Sequence, residues 1–174
     1  MVFRIVGGRS CYTFEQMPET LYDLLAQSAS RNAGTIAIVD DDGAGYAFDD
    51  LLAYTDGVAA HLAYDYHVGA GDRVGLLLDS SIEFCATYFA CSKIGAVAVP
   101  FSTKYREKEI SGLLRHAGLS VLFIDPRYRA RIGAAAGVVP HVEFCDRSGE
   151  PGGFGLSRSL RDLPSRRARR RPRL

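Results

Sequence analysis

Apolar positions along the chain follow two alternating rhythms, one with helical spacing and one of short unbroken runs. Thr20 and Asp23 are spaced as a capping box, Leu21, Leu24 and Leu25 lay a stripe behind them, and Gly34 follows, which predicts a first helix over 20–32. Ile36-Ala-Ile-Val39 and Tyr46-Ala-Phe48 flank the turn-prone Asp41-Asp42-Gly43 and predict a β-hairpin. Asp49 is placed to N-cap a second helix, with Leu51, Leu52, Val58, Ala59 and Leu62 on its buried face, ending before Gly69. Val74-Gly-Leu-Leu-Leu78 is an uninterrupted apolar run of strand length, the mark of a strand covered on both faces. Ser80 and Glu83 predict a capped third helix, along which Phe84, Thr87, Tyr88, Cys91 and Ile94 recur until Gly95 closes it. Ala96–Val99 predicts the next buried strand and Val121–Ile124 another; between them Ile110, Leu113, Leu114 and Ala117 predict a fourth helix stopped by Gly118. A short helical piece near 129–136 and a strand at His141–Phe144 complete the pattern.

Fully apolar strands alternating with helices imply βαβ units. The predicted fold is therefore α/β, a partial doubly wound parallel sheet with a β-hairpin near the N-terminus. At 174 residues and 47% hydrophobic, the chain has the length of one ordinary domain. Residues 1–17 read as an extension, 18–145 as the folded unit, and 146–174 as an unstructured tail rich in Arg, Gly and Pro, with nothing to bury.

The formal net charge of +1 hides an internal split. Residues 146–174 hold nine Arg against Asp146, Glu150 and Asp162, a net of +6, whereas the preceding 145 residues carry 12 basic and 17 acidic groups, a net of −5. An arginine-rich tail can attract nucleic acid or serve as a nuclear address, but the acidic body offers no matching basic face, so nucleic acid is not the expected partner. Cys11, Cys85, Cys91 and Cys145 show no C-x-x-C spacing and sit in largely apolar segments, the pattern of reduced, packed thiols. No apolar run is long enough for a signal peptide or a membrane span, so the expectation is a cytoplasmic protein without membrane contact.

Several strings imitate functional motifs. Gly69-Ala-Gly71-Asp-Arg-Val-Gly75 approximates a dinucleotide fingerprint, but its last spacing is one residue too long and it precedes a strand instead of a helix; a helix-to-strand turn is the better reading. His141-Val-Glu143 matches H-x-E of the zinc deaminases, yet no P-C-x-x-C follows to supply thiolates. His61, His67 and His116 fall near helix ends, where imidazoles suit the dipole and the last carbonyls better than they suit a metal. No G-x-S-x-G, H-E-x-x-H or G-x-x-x-x-G-K-[ST] occurs. No residue is assigned a catalytic, cofactor-binding or metal-binding role.

Five elements taken together resemble the AMP-forming acyl-CoA synthetases, a branch of the adenylate-forming ligases. Tyr46-Ala-Phe-Asp-Asp-Leu51 is similar to the family's early aromatic, acid, leucine element, with Ala47 where Thr or Ser is common. Gly71-Asp-Arg-Val74 resembles its glycine-aspartate-basic-valine turn, and Ser80–Glu83 its asparagine-serine-x-glutamate helix start, with Ser80 in place of Asn. Lys93-Ile-Gly-Ala96 through Pro100 resembles its lysine-x-glycine-alanine strand and proline, and Glu109-Ile110 the acid-leucine pair opening the next helix. All five are scaffold elements.

The resemblance covers about residues 18–145 and implies a reaction in which ATP and a fatty or other carboxylic acid give an acyl-adenylate and pyrophosphate, followed by transfer to a thiol, usually CoA. That chemistry uses a Thr/Ser/Gly-rich loop ending in lysine, an acid for Mg²⁺, and a lysine on a mobile C-terminal domain. The nearest string here, Ser148-Gly-Glu-Pro-Gly-Gly153, lacks the threonines and the lysine. The expectation is a truncated, inactive acyl-CoA synthetase fragment that binds none of ATP, Mg²⁺ or CoA, with a tail whose composition is that of GC-rich DNA read in the wrong frame. The alternative is a non-catalytic interaction or nucleotide-binding module of flavodoxin-like shape. Either way, strands that need more cover than four helices supply make self-association the expected behaviour.

Overall fold

The computed structural model of the chain describes residues 2–13, 17–39, 43–144 and 166–167. In chain order the elements are β1 (Val2–Val6), β2 (Arg9–Thr13), α1 (Leu21–Asn32), β3 (Ile36–Val39), β4 (Ala44–Ala47), α2 (Phe48–Tyr64), β5 (Arg73–Leu77), α3 (Ile82–Ile94), β6 (Val97–Pro100), α4 (Glu107–Ala117), β7 (Val121–Ile124), α5 (Arg129–Ile132), β8 (His141–Phe144) and β9 (Arg166–Arg167). Single 3₁₀ segments, Pro126–Tyr128 and Gly133–Val138, flank α5.

The central sheet has the order β6-β5-β7-β8, and every pairing in it is parallel. β5 leads through α3 to β6 on one side, and the chain then crosses through α4 to β7 on the other side. Alternate side chains of the strands enter two separate cores. Val74, Val121 and Phe123 pack with Leu51, Val58 and Ile82 under α1, α2 and α3. Leu77, Leu122 and Ile124 pack with Ile110, Leu114 and Ile132 under α4 and α5. Helices on both faces and a reversal of strand order make the sheet doubly wound, as the apolar runs imply.

Burial is uneven across the sheet. Every residue of β7 is buried, as are all of β5 beyond Arg73. The expectation of a buried strand at Ala96–Val99 is corrected: β6 lies at an edge and Val97 is 48% exposed. The edge also explains Pro100, which pairs opposite Leu76 without having to donate outward, while Phe101 N donates to Leu76 O at 2.8 Å. Leu113, expected in the α4 stripe, is 41% exposed, and Ile110 and Leu114 carry that helix's burial.

The helix starts show which local rules prevail. At α1 the capping box is complete: Thr20 Oγ1 accepts from Asp23 N at 3.1 Å and Asp23 Oδ2 from Thr20 N at 3.0 Å. α2 begins at Phe48 with Ala47, not Asp49, at the cap. Here Asp50 Oδ2 accepts from Ala47 N at 3.0 Å, and the α1–β3 turn takes the first helical amides, Phe48 N to Thr35 O at 3.0 Å and Asp49 N to Ala33 O at 3.3 Å. A tertiary partner thus replaces a side-chain cap. The α3 cap is Ser81, one residue beyond the expected Ser80, with Oγ accepting from Phe84 N at 3.3 Å. Gly95 ends α3 with φ +73°, and a Cβ there would lie 3.2 Å from Ala70 Cβ, so both conformation and space favour glycine.

β3 and β4 form the expected antiparallel hairpin, with a register irregularity between Ile36 and Ile38. A second hairpin occupies residues expected to be an extension. β1 and β2 pair antiparallel from Val2↔Thr13 to Val6↔Arg9 around Gly7 and Gly8, both at positive φ, with Phe3 edge-on to Tyr12 at 5.4 Å. Within the stretch read as a tail, Arg166–Arg167 forms β9 and pairs antiparallel with β4; the rest of 146–174 lies outside the described residues.

Candidate functional site

In an open α/β sheet the crevice lies beyond the carboxyl ends of the strands where the winding reverses. Here that point falls between the ends of β5 and β7. Asp125 N donates to Leu77 O at 3.1 Å, keeping the exits of the two strands together, and the next residues diverge to Asp79 on one side and Arg127-Tyr128 on the other.

Asp125 opens the 3₁₀ turn by accepting from Arg127 N at 2.9 Å. That turn brings the Arg127 guanidinium back over both carboxylates. Its Nε lies 3.0 Å from each oxygen of Asp125, and Nη2 lies 2.6 Å from Asp125 Oδ2 and 2.8 Å from Asp79 Oδ2. The other oxygen of Asp79 accepts from the Tyr128 hydroxyl at 2.7 Å. Arg131 stands 4.5 Å from the Tyr128 ring centroid and donates to the backbone carbonyl of Thr103 beyond β6, fixing the ring from its other side.

The electrostatics follow from this geometry. Hydrogen bonding and charge from Asp125, with a smaller contribution from Asp79, raise the Arg127 pKa, so the guanidinium stays charged. Burial, with the Asp79 hydrogen bond, raises the Tyr128 pKa and keeps the phenol protonated as the donor. Both Asp79 oxygens are engaged, and Asp125 is held by the cation it flanks. The arrangement is a clamp in which one guanidinium bridges two carboxylates at the exits of β5 and β7. Arg127 is 65% exposed, so the pairs are worth the modest energy of solvent-screened ion pairs, roughly 0.2–1 kcal/mol each.

Gly69–Gly75 runs from the turn after α2 into β5, with Gly69 N donating to Asp72 Oδ2 at 2.8 Å, a helix-to-strand turn. His116 Nδ1 is 2.8 Å from the Gly112 carbonyl one turn back, so that nitrogen carries the proton. His61 Nδ1 pairs with Asp65 and its ring lies edge-on to Tyr66 at 4.8 Å; burial lowers its pKa against the opposing pull of Asp65. His67 follows α2 with φ +54°. His141–Phe144 is strand β8, as expected; its side chains lie outside the description. Cys11, Cys85 and Cys91 are free thiols, and burial pushes Cys91 up to about 12, which suppresses the thiolate; Cys145 lies outside the described residues. Among the described residues, no group of three or more His, Cys, Asp or Glu is placed to hold a metal ion, and no helix is long and apolar enough to cross a membrane.

The clamp was not found from the sequence, because Asp79 and Arg127 are 48 positions apart. The available signal was Asp125-Pro126 at the exit of an apolar strand, read together with the switch-point rule.

The strand order and helix placement are those of a doubly wound parallel α/β sheet, and residues 25–151 match the family model of the AMP-binding enzymes. The chain belongs to that family and corresponds to the N-terminal part of an adenylate-forming enzyme. It is 33% identical over 110 residues to the medium-chain fatty-acid–CoA ligase of Escherichia coli K12, an alignment covering 63% of this chain and 19% of that protein. It is 30% identical over 121 residues to chalcone synthase cfoA of Aspergillus candidus, covering 68% of this chain and 4% of that protein. The chain therefore spans under a fifth of the length of these curated relatives. Among solved structures, the N-terminal domain of FACL13 from Mycobacterium tuberculosis superposes with a TM-score of 0.71 at 25% identity, covering 87% of this chain and 38% of that one.

Proposed function

We propose that these residues are the N-terminal scaffold of an AMP-forming acid–thiol ligase and that by themselves they carry out neither adenylation nor thioester formation. The carrying observation is that the family match at 25–151 falls on a sheet whose switch-point cations are already engaged. Arg127 is held by Asp79 and Asp125, and Arg131 by backbone carbonyls. Transition-state stabilisation at phosphorus needs donors aimed at the developing charge. Residues 1–174 contain no Thr/Ser/Gly-rich loop ending in lysine to supply them.

In the whole protein the substrates would be a fatty or other carboxylic acid, ATP with Mg²⁺, and CoA, in the cytoplasm. The unit responsible for the scaffold is residues 18–145. Within 1–174 alone, none of these ligands is held. The outer edges of β6 and β8, which end the sheet among the described residues, make self-association the expected solution behaviour. The second reading, a non-catalytic interaction module, draws support from the pairing of β9 with β4.

Calorimetric titration of the purified chain with MgATP and with CoA tests the proposal, on material whose mass is read by light scattering during size-exclusion chromatography. The expected outcome is no saturable heat from either ligand and a mass above that of a monomer. Saturable submillimolar binding of either nucleotide would contradict the ligand part of the proposal, and a clean monomer the association part.

A further inference from the structure

The charge of the chain is distributed in blocks. Residues 14–72 contain eleven carboxylates and a single cation, Arg31, a net of −10, whereas 146–174 carry +6. β4 lies inside the acidic block, between β3 on one side and β9 on the other. Ala44 is opposite Arg167 and Gly45 opposite Arg166 in antiparallel register, and Gly45 is buried although it belongs to the outer strand of its hairpin.

We propose that the outer edge of β4 is a strand-addition site for an arginine-rich extended segment, and that the chain's own Arg166–Arg167 occupies it in cis. Two independent features converge here. Backbone pairing provides attachment along a strand edge, and the sequence of the segment has no bearing on that part. The opposite charges of the two blocks select an arginine-rich strand over a neutral one. Residues 145–165, 21 positions, separate β8 from β9, a length that reaches at most roughly 70 Å when extended and so allows return to any face of a domain this size. Tethering on this scale gives an effective concentration near the millimolar range, well above ordinary protein concentrations, which favours the cis arrangement over exchange between copies. The occupied edge is also no longer available to another strand. This inference is independent of the ligase reading and survives if that reading fails.

Residue-resolved amide exchange on the full chain tests it. Exchange at residues 44–45 is expected to be slower by roughly tenfold or more in the wild type than in R166P/R167P, which cannot donate to a ladder. R166K/R167K should retain the protection, whereas R166E/R167E should lose it. Unchanged protection in β5 and β7 serves as the check that each variant is folded. Equal exchange at 44–45 in the wild type and the proline variant overturns the proposal. Protection that grows with protein concentration also overturns it, because the occupant would then be the tail of a second copy.

Discussion

Phe123→Ala is expected to destabilise the folded chain by about 3–5 kcal/mol, the range for deleting a large aromatic from a core that cannot collapse around the loss. Phe123 is fully buried on β7, which is hydrogen-bonded on both sides, to β5 and to β8. Its side chain lies in the larger core, against the layer formed by α2 and α3. Strand pairing on both sides holds the backbone in place, so the vacated space remains a cavity. Leu113→Ala, at an α4 position expected to be buried but found exposed, should cost under about 1 kcal/mol. Urea unfolding midpoints at constant m-value measure both. A loss below about 1 kcal/mol for Phe123→Ala would mean that this core is not close-packed.

Gly75→Val is expected to cost about 3 kcal/mol, for the opposite reason. Gly75 is in the middle of β5, and a Cβ added there would lie 2.5 Å from Leu119 Cδ1, 2.8 Å from Leu122 Cδ1 and 3.1 Å from Phe101 Cε2. Each neighbour could turn aside individually if it had room, but all three are buried within the second core, and relieving one contact drives the group against another. Valine has the better strand propensity, so propensity and packing predict opposite signs. Overlap in a close-packed interior outweighs a propensity gain of well under 1 kcal/mol. Thermal unfolding should show a lower midpoint for Gly75→Ala and a still lower one for Gly75→Val. A midpoint at or above that of the wild type in the valine variant would show that the site relaxes freely.

The central strands and their helices were legible in the sequence because their signals are local. Val121–Ile124 is apolar at every position, and Thr20 and Asp23 cap α1 by contacts within a single turn. Features decided by distant partners were not legible. Ala96–Val99 reads like the other apolar runs, and only the sheet order puts it at an edge. Asp49 fits a cap by composition, yet α2 already begins at Phe48, where the carbonyls of Thr35 and Ala33 accept from Phe48 N and Asp49 N and place Asp49 inside the first turn. The Gly7-Gly8 turn is a local signal, but Arg4 and Arg9 interrupt the apolar pattern on either side of it. The clamp of Asp79, Asp125 and Arg127 and the pairing of β9 with β4 join segments far apart in the chain, where periodicity carries no information.

The family resemblance was likewise legible from scaffold positions, while the chemistry was not, since the five matched elements are turns, caps and strand ends. At these positions Gly95 ends a helix, Asp72 accepts from Gly69 N, and Pro100 closes an edge strand. These residues position a sheet.

The most direct test of a scaffold without its phosphate chemistry is acid-dependent exchange of labelled pyrophosphate into ATP by purified residues 1–174, over a panel of medium- and long-chain fatty acids. Loss of a single oxyanion donor already costs roughly 10²–10³-fold in rate, so the absence of the whole loop and its lysines should leave nothing measurable. The expected result is label in ATP at the level of an enzyme-free blank for every acid. Reproducible exchange above that blank, dependent on added acid, would contradict the account.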